Sequence, residues 1–213
     1  MASSSASSAS GRPGHGRGAA AIDVIGVQEF ASIAAGVLAL DAIVKAAPVE
    51  VLGTRTVTPG KLVVLFSGDV ASVEASLDKG REVAGESLID ELFIPNLHPQ
   101  VIPALRGEVR VESWDALGII ESFSVTASIV AADTAAKEGR VDLPEIRLAG
   151  GMGGKSYVKI MGPIEEVEAA LRAGVAHVER RGLLCQQVII PRPHPDIREH
   201  VLFGHEEAGT LWK

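Results

Sequence analysis

The chain has a single cysteine, Cys185, in 213 residues, so no disulfide can form within it. The surroundings of that thiol, Leu183-Leu184-Cys185-Gln186-Gln187-Val188, are strand-like and predict a buried structural cysteine rather than a reactive one. Aromatic residues are scarce at 4%, while 46% of the chain is hydrophobic. The core must therefore be built from Ala, Val, Ile and Leu, and a surplus of such side chains points to protein–protein surface. An excess of positive charge is also missing: the net charge is -7 and no basic stripe is present, which excludes a general nucleic-acid binder. No apolar run approaches the roughly 20 residues of a membrane span. The start, Met1 to Gly18, is Ser/Ala-rich and then Gly/Arg-rich, without the apolar segment of a secretory leader. It is expected to be a disordered tail over residues 1–20, and the setting is expected to be cytoplasmic.

What the chain does have is a duplication. Gly26, Glu29, Asp41 and Lys45 recur as Gly118, Glu121, Asp133 and Lys137, each displaced by 92 residues. Gly60-Lys61 returns as Gly154-Lys155, displaced by 94, and Ile94-Pro95-Asn96-Leu97-His98-Pro99 returns as Ile190-Pro191-Arg192-Pro193-His194-Pro195, displaced by 96. The offset grows by only two small insertions, so each half is one complete fold unit and not a short solenoid repeat. The division is a first domain over 21–106, a linker over 107–115, a second domain over 116–204 and a C-terminal tail over 205–213.

Within the first unit, Asp23 to Gln28 reads as a strand. Phe30, Ile33, Val37, Leu40 and Val44 then fall at the spacing of a helix buried on one face. Pro48 ends that helix. Val49 to Val57 and Leu62 to Phe66 are β-rich runs around Thr58-Pro59-Gly60-Lys61, a hairpin turn. Asp69 is placed to cap a second helix with Val70, Val73 and Leu77 as its apolar face, and Leu88 to Ile94 closes the unit. The second half repeats the plan, with Pro163 suited to the first turn of its last helix. Strand, helix, strand, strand, helix, strand is the ferredoxin-like order, an α+β class in each half.

The Asp-x-x-x-Lys pairs Asp41/Lys45 and Asp133/Lys137, the glycine-rich hairpin turns, the Gly68-Asp69 helix entry and Pro191-Arg192-Pro193-His194 occur in one shared order, found twice. In this the chain resembles the bacterial microcompartment shell proteins of the tandem-domain, trimer-forming class, over about residues 21 to 204 and in the non-permuted order. The resemblance implies a homotrimer that imitates a hexagon, a flat tile whose partners are its own copies, other shell proteins and small metabolites crossing a central pore. By position, Thr58, Pro59 and Gly60 of one domain and Met152, Gly153 and Gly154 of the other would line that pore, with Lys61 and Lys155 adding positive potential at one mouth. Lys45, Lys137, Arg192, Asn96, His98 and His194 resemble the residues through which tiles dock edge to edge. Tandem shell proteins of propanediol-utilising compartments hold an iron–sulfur cluster through one cysteine per chain in this hairpin. Here Thr58 occupies that position, and a hydroxyl does not replace a thiolate, so no cofactor is expected.

Other motifs carry less. Ala149-Gly150-Gly151-Met152-Gly153-Gly154-Lys155-Ser156 nearly spells a phosphate-binding loop, but the residues after Lys155 alternate as a strand where that chemistry needs a helix. His98 and His194 lack partners at ligand spacing, which predicts packed or edge histidines and no metal site. Glu29 and Glu121 are paired only by the duplication, and Asp90-Glu91 and Glu165-Glu166 read as solvated faces. No nucleophile, base and orienter come together, so no catalytic residue is assigned. The alternative from another class is a trimeric ferredoxin-like regulatory protein that binds a nucleotide or metabolite between subunits; an ATP-using enzyme ranks behind it.

Overall fold

A computed structural model of the protein describes residues 22–111 and 114–202. The expected tails and two positions of the expected linker lie outside them. In chain order the elements are β1 (Ile25–Phe30), α1 (Ile33–Ala46), β2 (Glu50–Val57), β3 (Lys61–Ser67), α2 (Val70–Ala84), β4 (Leu88–Ile94) and a short α3 (Val101–Arg106). The second half continues with β5 (Ala116–Ser122), α4 (Val125–Glu138), β6 (Asp142–Leu148), β7 (Ser156–Gly162), α5 (Ile164–Arg180), β8 (Leu184–Pro191) and a short α6 (Arg198–Leu202).

Each half forms its own antiparallel four-stranded sheet, ordered β2-β3-β1-β4 and β6-β7-β5-β8, the ferredoxin-like arrangement that the sequence predicts. The helix starts derive from local chemistry. Ser32 and Ser124 stand at equivalent positions before α1 and α4, and their side chains accept from the Ala35 and Ala127 amides; Asp69 accepts from the Ser72 amide at the head of α2. Pro163 is one residue earlier than expected, just before α5 rather than in its first turn.

Of the face predicted for α1, Leu40 packs on the core but the rest does not hold. Phe30 belongs to β1, while Ile33, Val37 and Val44 are exposed; Gly36, Ala39 and Ile43 face the core instead. α1 is apolar on nearly every side, so spacing alone selects no face, and close packing against α2 favours the small residues. Val70 of α2 is likewise exposed, although Val73 and Leu77 are buried as expected. The linker region is also preceded by structure that the sequence reading left out: α3 is buried and packs against β6 of the second half.

Candidate functional site: hairpin turns and domain junction

The β2–β3 turn is held by the Gly60 amide donating to the Val57 carbonyl at 2.9 Å, with Thr58-Pro59 in the cis form and Gly60 at a φ of 95°. In the longer β6–β7 turn the Lys155 amide donates to the Met152 carbonyl, and Gly153 and Gly154 take φ values of 62° and 90°. These turns are neighbours: a Cβ built on Gly154 would lie 3.5 Å from the Thr58 carbonyl oxygen. Two of the expected pore-lining residues, one from each domain, therefore meet at one place on the chain. β7 starts directly after Lys155, so the glycine-rich stretch leads into a strand and lacks the helix a phosphate loop requires.

Lys61 and Lys155 do not stand as free cations beside the turns. Lys61 Nζ pairs with Glu29 at 2.9 Å and Lys155 Nζ with Glu121 at 2.6 Å. The duplicated glutamates thus pair with the duplicated lysines, which weakens the positive potential expected from the sequence. The hydrogen bond to Glu121 and the neighbouring Cys185 hold the Lys155 ammonium above its ordinary pKa. Cys185 is half-buried on the edge strand β8, 3.9 Å from that ammonium, and not the fully buried thiol expected. The turn residues do not fit an iron–sulfur cluster: the position is a threonine, and the one thiol lies on a strand rather than in a turn. Among the described residues, no three His, Cys, Asp or Glu side chains are arranged to hold a metal ion.

The other expected site residues separate into two groups. Lys137, Asn96 and His98 meet at the junction between the two halves, where the segment from β4 into α3 runs along α4. The His98 amide donates to Asp133 at 2.8 Å, and Lys137 Nζ, paired with Asp133 at 2.6 Å, also donates to the Asn96 carbonyl. Gln100 completes the edge of β6, its amide nitrogen donating to the Val141 carbonyl and its oxygen accepting from the Leu143 amide, both at 2.9 Å. Asp90, expected on a solvated face, accepts from the Ser124 and Thr126 hydroxyls and, through both of its oxygens, from Arg181 Nη2 at 3.0 and 2.8 Å. Sequence reasoning missed this clamp because its partners lie in the other half, and Arg181 has no arginine at the equivalent place in the first. Burial pushes the His98 imidazole below its ordinary pKa.

Lys45, Arg192 and His194 are not brought together. Among the described residues Lys45 pairs with Asp41 alone, at 2.6 Å, with both side chains largely exposed, while Arg192 and His194 lie on the surface after β8. The duplication allows this contrast to be drawn residue by residue. Ile33, Val37 and Val44 of α1 are 42%, 54% and 43% exposed, and their counterparts Val125, Ile129 and Ala136 on α4 are 1%, 0% and 7% exposed. At the other end, Leu92 of β4 packs on the core, whereas its counterpart Val188 of β8 is exposed. The chain therefore carries one completed junction and the two open halves of another.

A BMC domain model matches residues 24–97 and 116–193. The chain is 38% identical over 180 residues to the bacterial microcompartment shell protein PduT of Citrobacter freundii, a match covering 84% of this chain and 98% of PduT. It is 38% identical over 85 residues to the shell protein EutM of Salmonella typhimurium, which covers 40% of this chain and 86% of EutM. Among solved structures, a microcompartment protein of Desulfitobacterium hafniense is similar with a TM-score of 0.78 and 46% identity, over 84% of this chain and 99% of that one.

Proposed function

The chain belongs to the BMC-domain family as a tandem pair of its domains, a structural shell protein of a bacterial microcompartment and not an enzyme, and from that premise we propose that three copies close head to tail into a pseudohexagonal tile. The observation that carries the trimer is the open junction. The exposed face of α1 is the counterpart of a face that the β4–α3 segment covers on α4, and the β8–α6 segment is the counterpart of that cover at the other end of the chain, tied to its own domain through Trp114, Lys159 and Arg198. A contact between two different surfaces repeats from copy to copy, and closure with two domains per chain and six around the ring takes three chains. In the closed ring, Asp41 of one copy accepts from the His194 amide of the next, and Lys45 donates to the Arg192 carbonyl.

In this tile the hairpin turns surround a central pore, with Thr58, Pro59 and Gly60 alternating with Met152, Gly153 and Gly154. The lining is uncharged and offers hydroxyl and peptide dipoles to a small metabolite. With Thr58 in place of a thiolate, the pore holds no iron–sulfur cluster. The Arg192 guanidinium and the stems of Lys45 and Lys137 lie on the rim, where they meet neighbouring tiles and other shell proteins within a cytoplasmic shell; Asn96 makes the first domain's rim the weaker donor. No helix among the described residues is long and apolar enough to cross a membrane.

Light scattering on the purified chain tests this reading. A mass of three chains is expected, with hexagonal sheets in electron micrographs at high concentration. Val37→Glu, placed on the open face of α1 where the side chain is 54% exposed, is expected to give a folded monomer. A wild-type monomer, or a trimer that survives this substitution, would overturn it.

A further inference from the structure

Arg55 of β2 and Arg147 of β6 are equivalent residues of the two halves, displaced by the same 92 positions as the other repeats. Each has a buried Nη1 with no hydrogen-bond partner. The first of these guanidinium groups lies directly against the second hairpin: a Cβ on Gly150 would fall 2.1 Å from Arg55 Nη2 and would push the group out of this place. Arg147, with its side chain 11% exposed, has Glu145 as its nearest carboxylate at 3.7 Å, beyond hydrogen-bonding distance. Its other oxygen, Oε2, is taken by Lys159 at 2.6 Å and by the Tyr157 hydroxyl at 2.9 Å, so Glu145 Oε1 balances the Arg147 charge without making it a hydrogen bond. Burial, and the nearby Arg147, hold the Arg55 guanidinium below its ordinary pKa.

A buried guanidinium nitrogen with an unfilled donor is costly to keep apart from an acceptor, because a guanidinium does not shed its proton to escape the penalty. A missing neighbour does not account for Arg55, which sits at the junction already completed within the chain. We propose that Arg55, packed on Gly150 at the base of the second hairpin, and its counterpart Arg147 form a binding site for a small oxyanion, a carboxylate or a phosphate. The guanidinium fork matches the paired oxygens of either group, and the half-buried setting strengthens the charge-assisted bonds. Binding needs only the junction inside one chain. Its consequence, that anionic metabolites concentrate next to the turns, rests on the pore reading above, and in the trimer the site is repeated three times around the axis.

The test is calorimetric titration of the full chain with inorganic phosphate and, separately, with acetate, together with thermal melts in each anion. Saturable binding of at least one of them is expected, with a rise in melting temperature. Arg55→Gln and Arg147→Gln are each expected to weaken it about tenfold or more and to abolish the rise; Lys79→Gln, on the outer surface of α2, is expected to leave both unchanged. Arg55→Lys, which keeps the charge and loses the fork, serves if the glutamine variant fails to fold, and is expected to weaken binding as well. Absence of saturable binding of both anions, or undiminished binding in the arginine variants, would overturn the site. Light scattering on the same samples separates this from the tile: a trimer that binds no anion defeats only the arginine site, and a monomer that binds defeats only the trimer.

Discussion

Gly174 stands where α5 approaches α4 most closely. A Cβ there would lie 2.8 Å from the Ala131 carbonyl oxygen and 2.9 Å from Ile120 Cδ1, both in well-packed surroundings. Backbone on one side and a fully buried isoleucine on the other leave nothing flexible to yield. Gly174→Ala is therefore expected to destabilise the second domain by about 1–3 kcal/mol, measured by denaturant unfolding, despite the better helix propensity of alanine. At Gly80, its counterpart on α2, a Cβ would lie 2.0 Å from the Gln28 side-chain oxygen instead. The sequence shows both glycines in register but not what they approach, since contact with a neighbouring helix is a property of the packed pair.

At the scale of elements, α3 and α4 share a pH-sensitive seam. The Gln100 amide donates to His98 Nδ1 at 3.4 Å, and the same glutamine pins β6. Protonation removes that acceptor. Burial keeps the folded imidazole below its ordinary value of 6.5, although Asp133 pulls the other way. The unfolded chain thus binds a proton before the folded one as pH falls. The contribution is fully present above the ordinary value and is lost as pH drops through the folded one. His98→Gln is expected to flatten part of the decline in melting temperature between about pH 7 and 5, with little change at pH 8. His177, also held low by burial and by Arg180 and Arg181, sustains the remainder. Nothing in the spacing of His98 distinguishes it from an edge histidine, because its shift comes from elements remote in sequence.

Across the whole molecule, two junctions of one design differ in strength. The internal one has the Asp90 clamp on Arg181, Ser124 and Thr126. At the open one Gln186 is the counterpart of Asp90, a neutral side chain, and Gly85 falls in the loop where an arginine would be needed. Asp90→Ala is expected to cost roughly 2 kcal/mol of chain stability by denaturant unfolding, discounted because Arg181 is partly exposed, and to leave the trimer mass unchanged by light scattering. In the proposed trimer the contact between copies, without this clamp, would depend more on the apolar face of α1.

Residue order alone settled the duplication, the element sequence, the Asp69 cap and the family resemblance, because these rest on local patterns and on register between the halves. It placed Thr58 and Gly154 in equivalent turns, and the fold brings those turns side by side. Tertiary structure alone decided which face of α1 stays open, that Lys61 and Lys155 pair with Glu29 and Glu121, that Asp90 is a clamp, and that Arg55 and Arg147 keep unfilled donors. Each of these depends on which groups from distant segments share a small volume, where desolvation and pairing set the energy, and a linear pattern carries no record of that proximity.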